Sequence, residues 1–232
     1  MRSWSPPKSM NRPGRPRPGW QKSRPSVEWP LNTGPTISTM RARCCRLGSV
    51  CGRKPSPAKD FTPLLHPAIV MRSKGTIQGH GLFAVRLIAQ GELVWALDEP
   101  TFGWDEIKAW GEDEYRDFRR YGFQCGVDRY SLPEGLSREM NHSCDPNAWW
   151  SGSDTLVARR NIEVGEEITY DYSSCDVDLA FEMKCACGAQ NCRGTISSQD
   201  YKIESWREQY GLNLPPHVLA AIDKYLGDKA GW

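Results

Sequence analysis

The sequence predicts a mainly β domain of short strands, with one helix inserted, two helices appended and a basic tail in front. Two observations carry this prediction. From residue 61 onward, short apolar runs alternate with glycine turns, a pattern typical of short strands joined by tight turns. Residues 1–60 instead hold ten of the seventeen prolines and few large apolar side chains. That composition predicts a disordered segment.

Charge divides the chain at the same boundary. Residues 1–60 carry thirteen Lys or Arg and two acidic residues, a net +11 within a chain of net +2. The other 172 residues carry 17 basic and 26 acidic groups and are therefore −9. The acidic body favours a basic protein partner, and any nucleic-acid binding would be weak and confined to the tail.

Hydropathy and cysteine usage narrow the class of protein. The mean hydropathy is −0.60, and no apolar run approaches the ~20 residues that span a bilayer. The N-terminus lacks the apolar core of a signal peptide. We therefore expect a soluble, monomeric, intracellular protein of the nucleus or cytoplasm, without a membrane partner. Nine cysteines then indicate metal binding or free thiols more than disulfides.

The elements of the domain follow in order. Two strands joined by a glycine turn are predicted within residues 69–88, and a further strand within 91–100. Apolar residues recur at helical spacing from Trp104 to Tyr121, which predicts one helix there. Four later segments are predicted to be short strands: RYSL (129–132), NAWW (147–150), TLVARRNI (155–162) and EEITYDY (166–172).

Two helices are predicted at the C-terminal end. DYKIESWREQY (200–210) places Ile203, Trp206 and Tyr210 on one face. PPHVLAAIDKYLG (215–227) begins with proline and closes with Gly227, and these residue types favour a helix start and a helix stop.

Three cysteines in CACGAQNC have the spacing of a zinc site. Cys185 and Cys187 are two residues apart and Cys192 follows five later, so three thiolates can face one tetrahedral zinc ion. A structural site needs a fourth ligand. Since no histidine is near these cysteines in the sequence, the candidates are Cys144 and Cys175.

Three other stretches carry polar or aromatic groups that alone fit either a structural or a functional role. The octet MNHSCDPN (140–147) can be a polar turn or a ligand site. GTIQGHGLFA (75–84) can be an ordinary hairpin, or a turn whose glycines let a ligand approach the backbone. Tyr170 and Tyr172 share one face of a strand, either as a core pair or as part of a site.

Taken in order, GHGLFA, MNHSCDPN, GEEITYDY and CACGAQNCRG resemble the SET-domain lysine methyltransferases with a post-SET zinc knuckle. The resemblance spans about Val70 to Ile196. It implies a SET-domain (β-clip) fold of small curled sheets, in which the NHSC segment is threaded through a loop formed by a later segment. The implied domains are a SET domain (61–175) and a knuckle (176–196). Residues 197–232 form a helical extension without a counterpart.

The resemblance also implies roles for individual residues. The cofactor would be S-adenosylmethionine, and the metal would be zinc with Cys144 as fourth ligand beside the knuckle cysteines. Tyr172 would be the catalytic tyrosine, Tyr170 would limit the number of methyl groups added, and Tyr121 and Tyr130 would lie on the substrate side. The residues implied to bind the cofactor are Gly79, His80, Gly81, Arg138, Asn141 and His142.

Two other functions fit the sequence less well. A SET-like interaction module without catalysis, recruited through the basic tail, would have no need of Asn141, His142 and Tyr172. A zinc-ribbon nucleic-acid binder is disfavoured by the acidic body. The leading hypothesis is therefore a lysine methyltransferase acting on a basic protein segment, for which a histone tail is one candidate.

Overall fold

The computed structural model describes residues 64–230, so the predicted disordered tail of residues 1–60 lies outside the described range. Within it, the chain forms thirteen short strands in five small sheets, together with four α-helices. The prediction of a mainly β fold of small sheets with inserted and C-terminal helices is confirmed. The implied domain boundaries stay a prediction.

Every described strand is two to four residues long. The sheets have the strand orders β1-β4-β10-β9, β5-β7-β6, β2-β3, β8-β11 and β12-β13, and β8-β11 is the parallel pair among these antiparallel neighbours. The strands are β1 (Leu64–Leu65), β2 (Ile69–Arg72), β3 (Gly81–Ala84), β4 (Leu93–Ala96), β5 (Thr101–Phe102), β6 (Phe123–Gly126), β7 (Arg129–Ser131), β8 (Asn141–His142), β9 (Ala148–Trp150), β10 (Thr155–Ala158), β11 (Thr169–Tyr170), β12 (Glu182–Lys184) and β13 (Thr195–Ser197).

The main core lies on one face of the four-stranded sheet. Strand β10 shows the alternation expected of a half-buried strand, with Leu156 buried and Thr155 less so. Trp95 meets Phe123 edge-on at 6.0 Å and Trp150 at 6.1 Å between ring centroids. Such aromatic pairs add about 0.5–1.5 kcal/mol each beyond the burial of their area. Tyr170, one of the predicted catalytic residues, packs against this cluster.

The helix predicted across residues 104–121 is two helices. Helix α1 covers Trp104–Lys108 and helix α2 covers Glu112–Tyr121. The break falls at Gly111, whose extended backbone precedes α2 and whose N–H donates to the Glu114 carboxylate at 3.3 Å. Because this carboxylate satisfies a backbone donor at the helix start, a new helix begins there. Its last residue, Tyr121, leads directly into the predicted site.

The segment Phe123–Gly126 forms strand β6, one of six strands that were not predicted from the sequence; the others are β1, β5, β8, β12 and β13. Strand β6 pairs with β7 in a hairpin whose turn includes Asp128 at φ +46°, a conformation that short polar residues tolerate. Gln124 and Gly126 are poor strand formers, so pairing with a neighbouring strand decides the conformation here.

Both C-terminal helices are confirmed, but the predicted stop at Gly227 is wrong. Helix α3 covers Glu204–Tyr210, and helix α4 covers Pro216–Ala230 and so continues past Gly227. Gly227 is exposed, and an exposed glycine costs a helix only about 1 kcal/mol relative to alanine. That penalty does not end a helix of this length. The two helices build a second apolar cluster, made of Trp206, Tyr210, Leu214, Val218 and Ile222.

Candidate active site

Two motifs that are far apart in the sequence lie side by side in the structure. Strands β8 and β11 place Asn141 opposite Thr169 and His142 opposite Tyr170. The amide of Ser143 extends this pairing by donating to the carbonyl oxygen of Tyr170 at 3.1 Å. The segments MNHSCDPN and GEEITYDY are therefore neighbours in space, and side chains of both contribute to the candidate site.

Tyr172 is held by the octet that β8 belongs to. Its backbone N–H donates to Nδ1 of His142 at 3.2 Å, and its phenol donates to the carbonyl oxygen of Met140 at 2.8 Å. The ring of Tyr170 lies beside it, with 5.0 Å between the ring centroids. Burial raises the pKa of Tyr170 well above its usual range, so its phenol keeps its proton and can donate a hydrogen bond.

A pocket of about 430 Å³ brings the three tyrosines predicted to be catalytic together. Tyr121, Tyr170 and Tyr172 line it, with Met140 and Arg138 among the other lining residues. Tyr130, also expected on the substrate side, packs instead in the apolar cluster around α1 and α2. Aromatic walls such as these can hold an aliphatic chain and a cation at its end.

Arg138 lies on the side of the tyrosine-lined pocket. Its guanidinium stacks 4.7 Å above the centroid of the Tyr121 ring, and its Nη2 donates to Asp117 at 2.6 Å. Its Nε donates to the carbonyl oxygen of Pro133 at 2.5 Å. These contacts fix the guanidinium beside the tyrosines, whereas its implied role in binding the cofactor stays a prediction.

A second pocket, of about 290 Å³, lies at Asn141 and His142. Its lining also includes Gln78 from the glycine turn, Lys184 from β12, and Tyr172. Tyr172 therefore borders both pockets, the one with the other tyrosines and the one with the Asn-His pair. A ligand in either pocket would contact this residue.

Asn141 joins the glycine turn to a buried acid. Its Nδ2 donates to the carbonyl oxygens of Gln78 at 2.9 Å and His80 at 2.7 Å, and to Oε1 of Glu167 at 2.6 Å. A Cβ at Gly81 would overlap the Glu167 carboxylate. The glycine at this position therefore leaves room for the Glu167 side chain, whereas close approach of a ligand to this turn stays a prediction.

His80 and Gly79 contribute their backbone to this turn. Gly79 has φ +51°, which only glycine adopts without strain. The imidazole of His80 is half exposed, and its Nδ1 lies 3.1 Å from the Glu139 carboxylate. Its ring thus contacts an acid beyond the turn, and its carbonyl oxygen faces Asn141.

Glu167 and Asp171 are two buried acids within EEITYDY for which no role was predicted from the sequence. Glu167 accepts the amide of Thr76 at 2.5 Å as well as the Asn141 side chain, and the side chain of Asp171 is 0% exposed. A charged residue inside a strand that is predicted to be buried is the signal that could have identified both. Burying a charge costs free energy unless it is paired, so such residues have specific partners.

The four cysteines implied to bind zinc converge. Sγ of Cys144 lies 3.7 Å from Sγ of Cys185, close to the ~3.8 Å that separates sulfurs in a tetrahedral zinc site with 2.3 Å bonds. The group whose potential ligand atoms lie within 4.8 Å of one another consists of His142, Cys144, Cys185 and Cys187, and Cys192 packs in the same cluster as Cys144. Sγ of Cys175 instead contacts the carbonyl oxygen of Tyr172 at 3.6 Å. Of the two upstream candidates, the geometry favours Cys144.

Backbone amides support all four sulfurs. Each accepts one N–H, which stabilises a thiolate. The hydrogen bond between the two sulfurs lowers the pKa of Cys144 and raises the pKa of Cys185. A donor set of convergent, amide-supported sulfurs fits zinc. The amide donors are Arg193 to Cys144 at 3.4 Å, Cys187 to Cys185 at 3.4 Å, Cys144 to Cys187 at 3.5 Å and Gly194 to Cys192 at 3.5 Å.

His142 lies closer to the cysteines than the sequence suggests. Its Nε2 is 3.4 Å from Sγ of Cys144, although no histidine is near the knuckle in the sequence. Because Nδ1 accepts the amide of Tyr172, the ring proton is on Nε2, which therefore donates to the sulfur. A zinc ligand would need a lone pair at that nitrogen, so we assign His142 to supporting Cys144.

The chain resembles known proteins over this region. Residues 79–173 match the SET domain family. The chain is 33% identical over 136 residues to "Histone-lysine N-methyltransferase trr" of Drosophila melanogaster, covering 53% of this chain and 6% of that protein. It is 31% identical over 171 residues to "Histone-lysine N-methyltransferase, H3 lysine-36 specific" of Yarrowia lipolytica, covering 68% and 21%.

A shorter relative is "Methyltransferase flvH" of Aspergillus flavus, 38% identical over 81 residues, or 34% of this chain and 44% of that protein. The chain thus spans between 6% and 44% of the length of these three relatives. Among residues 64–230, no helix is long and apolar enough to cross a membrane.

Proposed function

We propose that this chain, whose residues 79–173 match the SET domain family, is a protein-lysine N-methyltransferase that uses S-adenosylmethionine and acts on a basic protein segment. The observation that carries the proposal is the position of Tyr172, which borders a pocket with Tyr121 and Tyr170 and a second pocket with Asn141 and His142. Such an arrangement lets an amine and a methyl donor enter from two sides and meet at one tyrosine.

The second pocket would hold the cofactor. Asn141, His142 and the glycine turn at Gly79–Gly81 supply polar side chains and backbone groups there. When bound, S-adenosylmethionine supplies an electrophilic methyl group carried on a positively charged sulfonium. The first pocket would hold the lysine side chain between the tyrosine rings.

The tyrosines would prepare the lysine for transfer. A lysine in water has a pKa near ~10.4 and is protonated, so its nitrogen has no lone pair for bond formation. A narrow pocket with little water, next to the positive charge of the bound cofactor, would disfavour the ammonium and so lower its pKa, and the proton would leave to solvent. The phenol of Tyr172 donates to Met140, so its oxygen can accept a hydrogen bond from the neutral amine and orient it.

Zinc would have a structural role. It would be held by Cys144, Cys185, Cys187 and Cys192. Because Cys144 belongs to the octet that contains Asn141 and His142, the four zinc–sulfur bonds would fix the knuckle against that octet. Since β12 also contributes Lys184 to the cofactor pocket, fixing the knuckle would complete that pocket.

The substrate class follows from charge. The acidic body, of net −9 over residues 61–232, attracts a basic segment and repels an acidic one. Of the three relatives named above, two are described as histone-lysine methyltransferases and one of these as specific for lysine 36 of histone H3, which makes a histone tail a first candidate and a nuclear location the expected one. We expect the enzyme to act as a monomer.

A methylation assay tests the proposal. The purified chain is incubated with S-adenosylmethionine and an array of lysine-containing peptides, including histone tails, and the product is read by mass spectrometry. We expect methyllysine from the wild type and a loss of at least about 100-fold in Tyr172→Phe, as for removal of a positioned catalytic group. Cofactor binding by calorimetry without transfer to any peptide would indicate the non-catalytic module instead.

A further inference from the structure

Asp171 separates the two tyrosines and is surrounded by hydrogen-bond donors. Its side chain is 0% exposed. One carboxylate oxygen accepts from Nη2 of Arg193 at 2.8 Å and from the amide of Ser173 at 3.0 Å. The other accepts from Nε1 of Trp206 at 3.0 Å and from the phenol of Tyr210 at 2.9 Å. Hydrogen bonds to a buried charged group are among the stronger ones in proteins.

Two of these donors come from helix α3, in the extension that the resemblance leaves without a counterpart. Trp206 and Tyr210 are four residues apart and so lie on one face of the helix. The same helix also contacts the zinc knuckle, because Nε2 of Gln209 donates to the carbonyl oxygen of Cys144 at 2.9 Å and its Oε1 accepts from Asn191 at 2.9 Å. Helix α3 therefore contacts both the tyrosine segment and the metal site.

The position of Asp171 makes these contacts relevant to the tyrosines. In an extended segment, neighbouring side chains point to opposite sides, so Asp171 points away from the pocket that Tyr170 and Tyr172 line. A carboxylate fixed on one side restrains the backbone that carries both rings on the other. Catalysis depends on the placement of groups to well within 1 Å.

We propose that helix α3 is a positioning element for methyl transfer, in which Trp206 and Tyr210 hold Asp171 and thereby set the orientation of Tyr170 and Tyr172. The inference rests on the proposed methyltransferase function. Neither Trp206 nor Tyr210 lines the two pockets, so both act through Asp171 and are positioning residues.

The alternative is that these hydrogen bonds stabilise the fold and nothing else. The two roles differ in what they change. A loss of stability lowers the amount of active enzyme and reduces every product in proportion. A displaced tyrosine pair changes the turnover of correctly folded enzyme, and it also changes the ratio of mono- to dimethyllysine, because Tyr170 borders the space into which added methyl groups would go.

Tyr210→Phe is the main test, since it removes the phenol oxygen and keeps the ring. Trp206→Phe is a second, independent test. Tyr201→Phe is the matched control: Tyr201 lies in the same extension and packs against Tyr225, and its phenol has no hydrogen bond to Asp171 among those that the structure describes. All variants are made in the full chain with zinc.

We expect Tyr210→Phe to lower kcat on the order of tenfold, as for loss of a hydrogen bond to a charged group, and to leave KM for cofactor and peptide unchanged. The ratio of mono- to dimethyllysine shifts, and zinc content stays at the wild-type level. Amide hydrogen exchange within residues 170–174 becomes faster. The Tyr201→Phe variant matches the wild type in kcat, KM, product ratio, zinc content and hydrogen exchange.

Wild-type kcat, product ratio and exchange in Tyr210→Phe would overturn the inference. So would a fall in kcat that matches a fall in folded enzyme, with the product ratio unchanged. If the wild type transfers no methyl group to any peptide, the proposed function fails instead. Hydrogen exchange then still decides whether α3 orders residues 170–174, because that measurement needs no activity.

Discussion

At the scale of single residues, Tyr170 lies between two neighbouring pockets. It lines the tyrosine pocket and also an adjoining pocket that is bordered by Trp95, Phe123 and Trp150. Its phenol keeps its proton because burial raises its pKa. A protonated phenol at this boundary can donate to an amine, directly or through a water molecule in the adjoining space.

Tyr170 is therefore predicted to limit the number of methyl groups added. We expect mainly monomethyllysine with some dimethyllysine from the wild type, and higher states from Tyr170→Phe. Displacing a hydrogen-bonded water costs on the order of 1 kcal/mol, and each 1.4 kcal/mol slows a later transfer about tenfold. Mass spectrometry of the product measures the distribution. Trimethyllysine as the main wild-type product would refute this prediction.

Cys144 is predicted to be the fourth zinc ligand. The wild type is expected to carry one zinc ion per chain. Cys144→Ser should lose it together with the structure around residues 185–192, because a hydroxyl is a poor ligand where a thiolate is needed. Metal analysis of the purified proteins measures this.

The control for the zinc prediction is Cys175→Ser, which should keep its metal because Sγ of Cys175 contacts the Tyr172 carbonyl oxygen, outside the cluster. Full zinc content in Cys144→Ser, with loss in the control, would reassign the fourth ligand to Cys175.

At the scale of elements, a histidine of helix α4 makes a hydrogen bond to the backbone of Cys175, three residues after Tyr172. Nε2 of His217, in the first turn, donates to the carbonyl oxygen of Cys175 at 2.7 Å. Its Nδ1 is buried and has no hydrogen-bond partner among the described residues. Burial lowers the pKa of His217 below its usual value of 6.5. The folded state therefore favours the neutral form of the His217 side chain.

This histidine predicts a pH dependence of stability. Since the pKa is lower in the folded state, the unfolded state binds more protons below pH 6.5. The contribution of His217 to the free energy of unfolding is thus complete above pH 6.5 and is lost as the pH falls through the folded pKa. Urea unfolding between pH 7.5 and 5 measures it.

The comparison for this pH prediction is His217→Gln, whose amide can still donate to Cys175 and has no titrating group in this range. The variant should lose less stability on acidification than the wild type. Equal losses would show that other groups, such as the zinc thiolates, account for the whole dependence.

At the scale of the whole molecule, an acidic body follows a tail of opposite charge. Residues 1–60 carry +11 and the remainder −9, and the site described above lies entirely within the acidic part. Phosphate contacts by a basic segment weaken steeply with salt, whereas transfer to a peptide needs only the pockets.

Removal of residues 1–60 is therefore predicted to leave methyl transfer to a free peptide unchanged and to weaken retention on DNA. Steady-state kinetics and a DNA-binding titration at two salt concentrations measure the two effects. A truncated chain that binds S-adenosylmethionine but does not methylate a peptide that the full chain accepts would show that the tail belongs to the catalytic unit.

The sequence by itself determined the local elements and the residue types of the site. Alternating apolar residues indicated most of the strands, and the spacing of Cys185, Cys187 and Cys192 indicated a metal site, because both depend on neighbours in the chain. It missed the break at Gly111 and six of the thirteen strands, β6 among them, and it placed a helix end at Gly227. In these places weak local preferences are overridden by a side-chain cap, by strand pairing and by the length of α4.

Only the tertiary structure decided which distant groups meet. It placed Cys144 rather than Cys175 beside the knuckle cysteines, and it placed His142 against the sulfur of Cys144. It also joined Asp171 to helix α3, about 35 residues later in the chain. No sequence spacing encodes such contacts, because hydrogen bonds across a folded core depend on the packing of whole elements and not on the separation of residues along the chain.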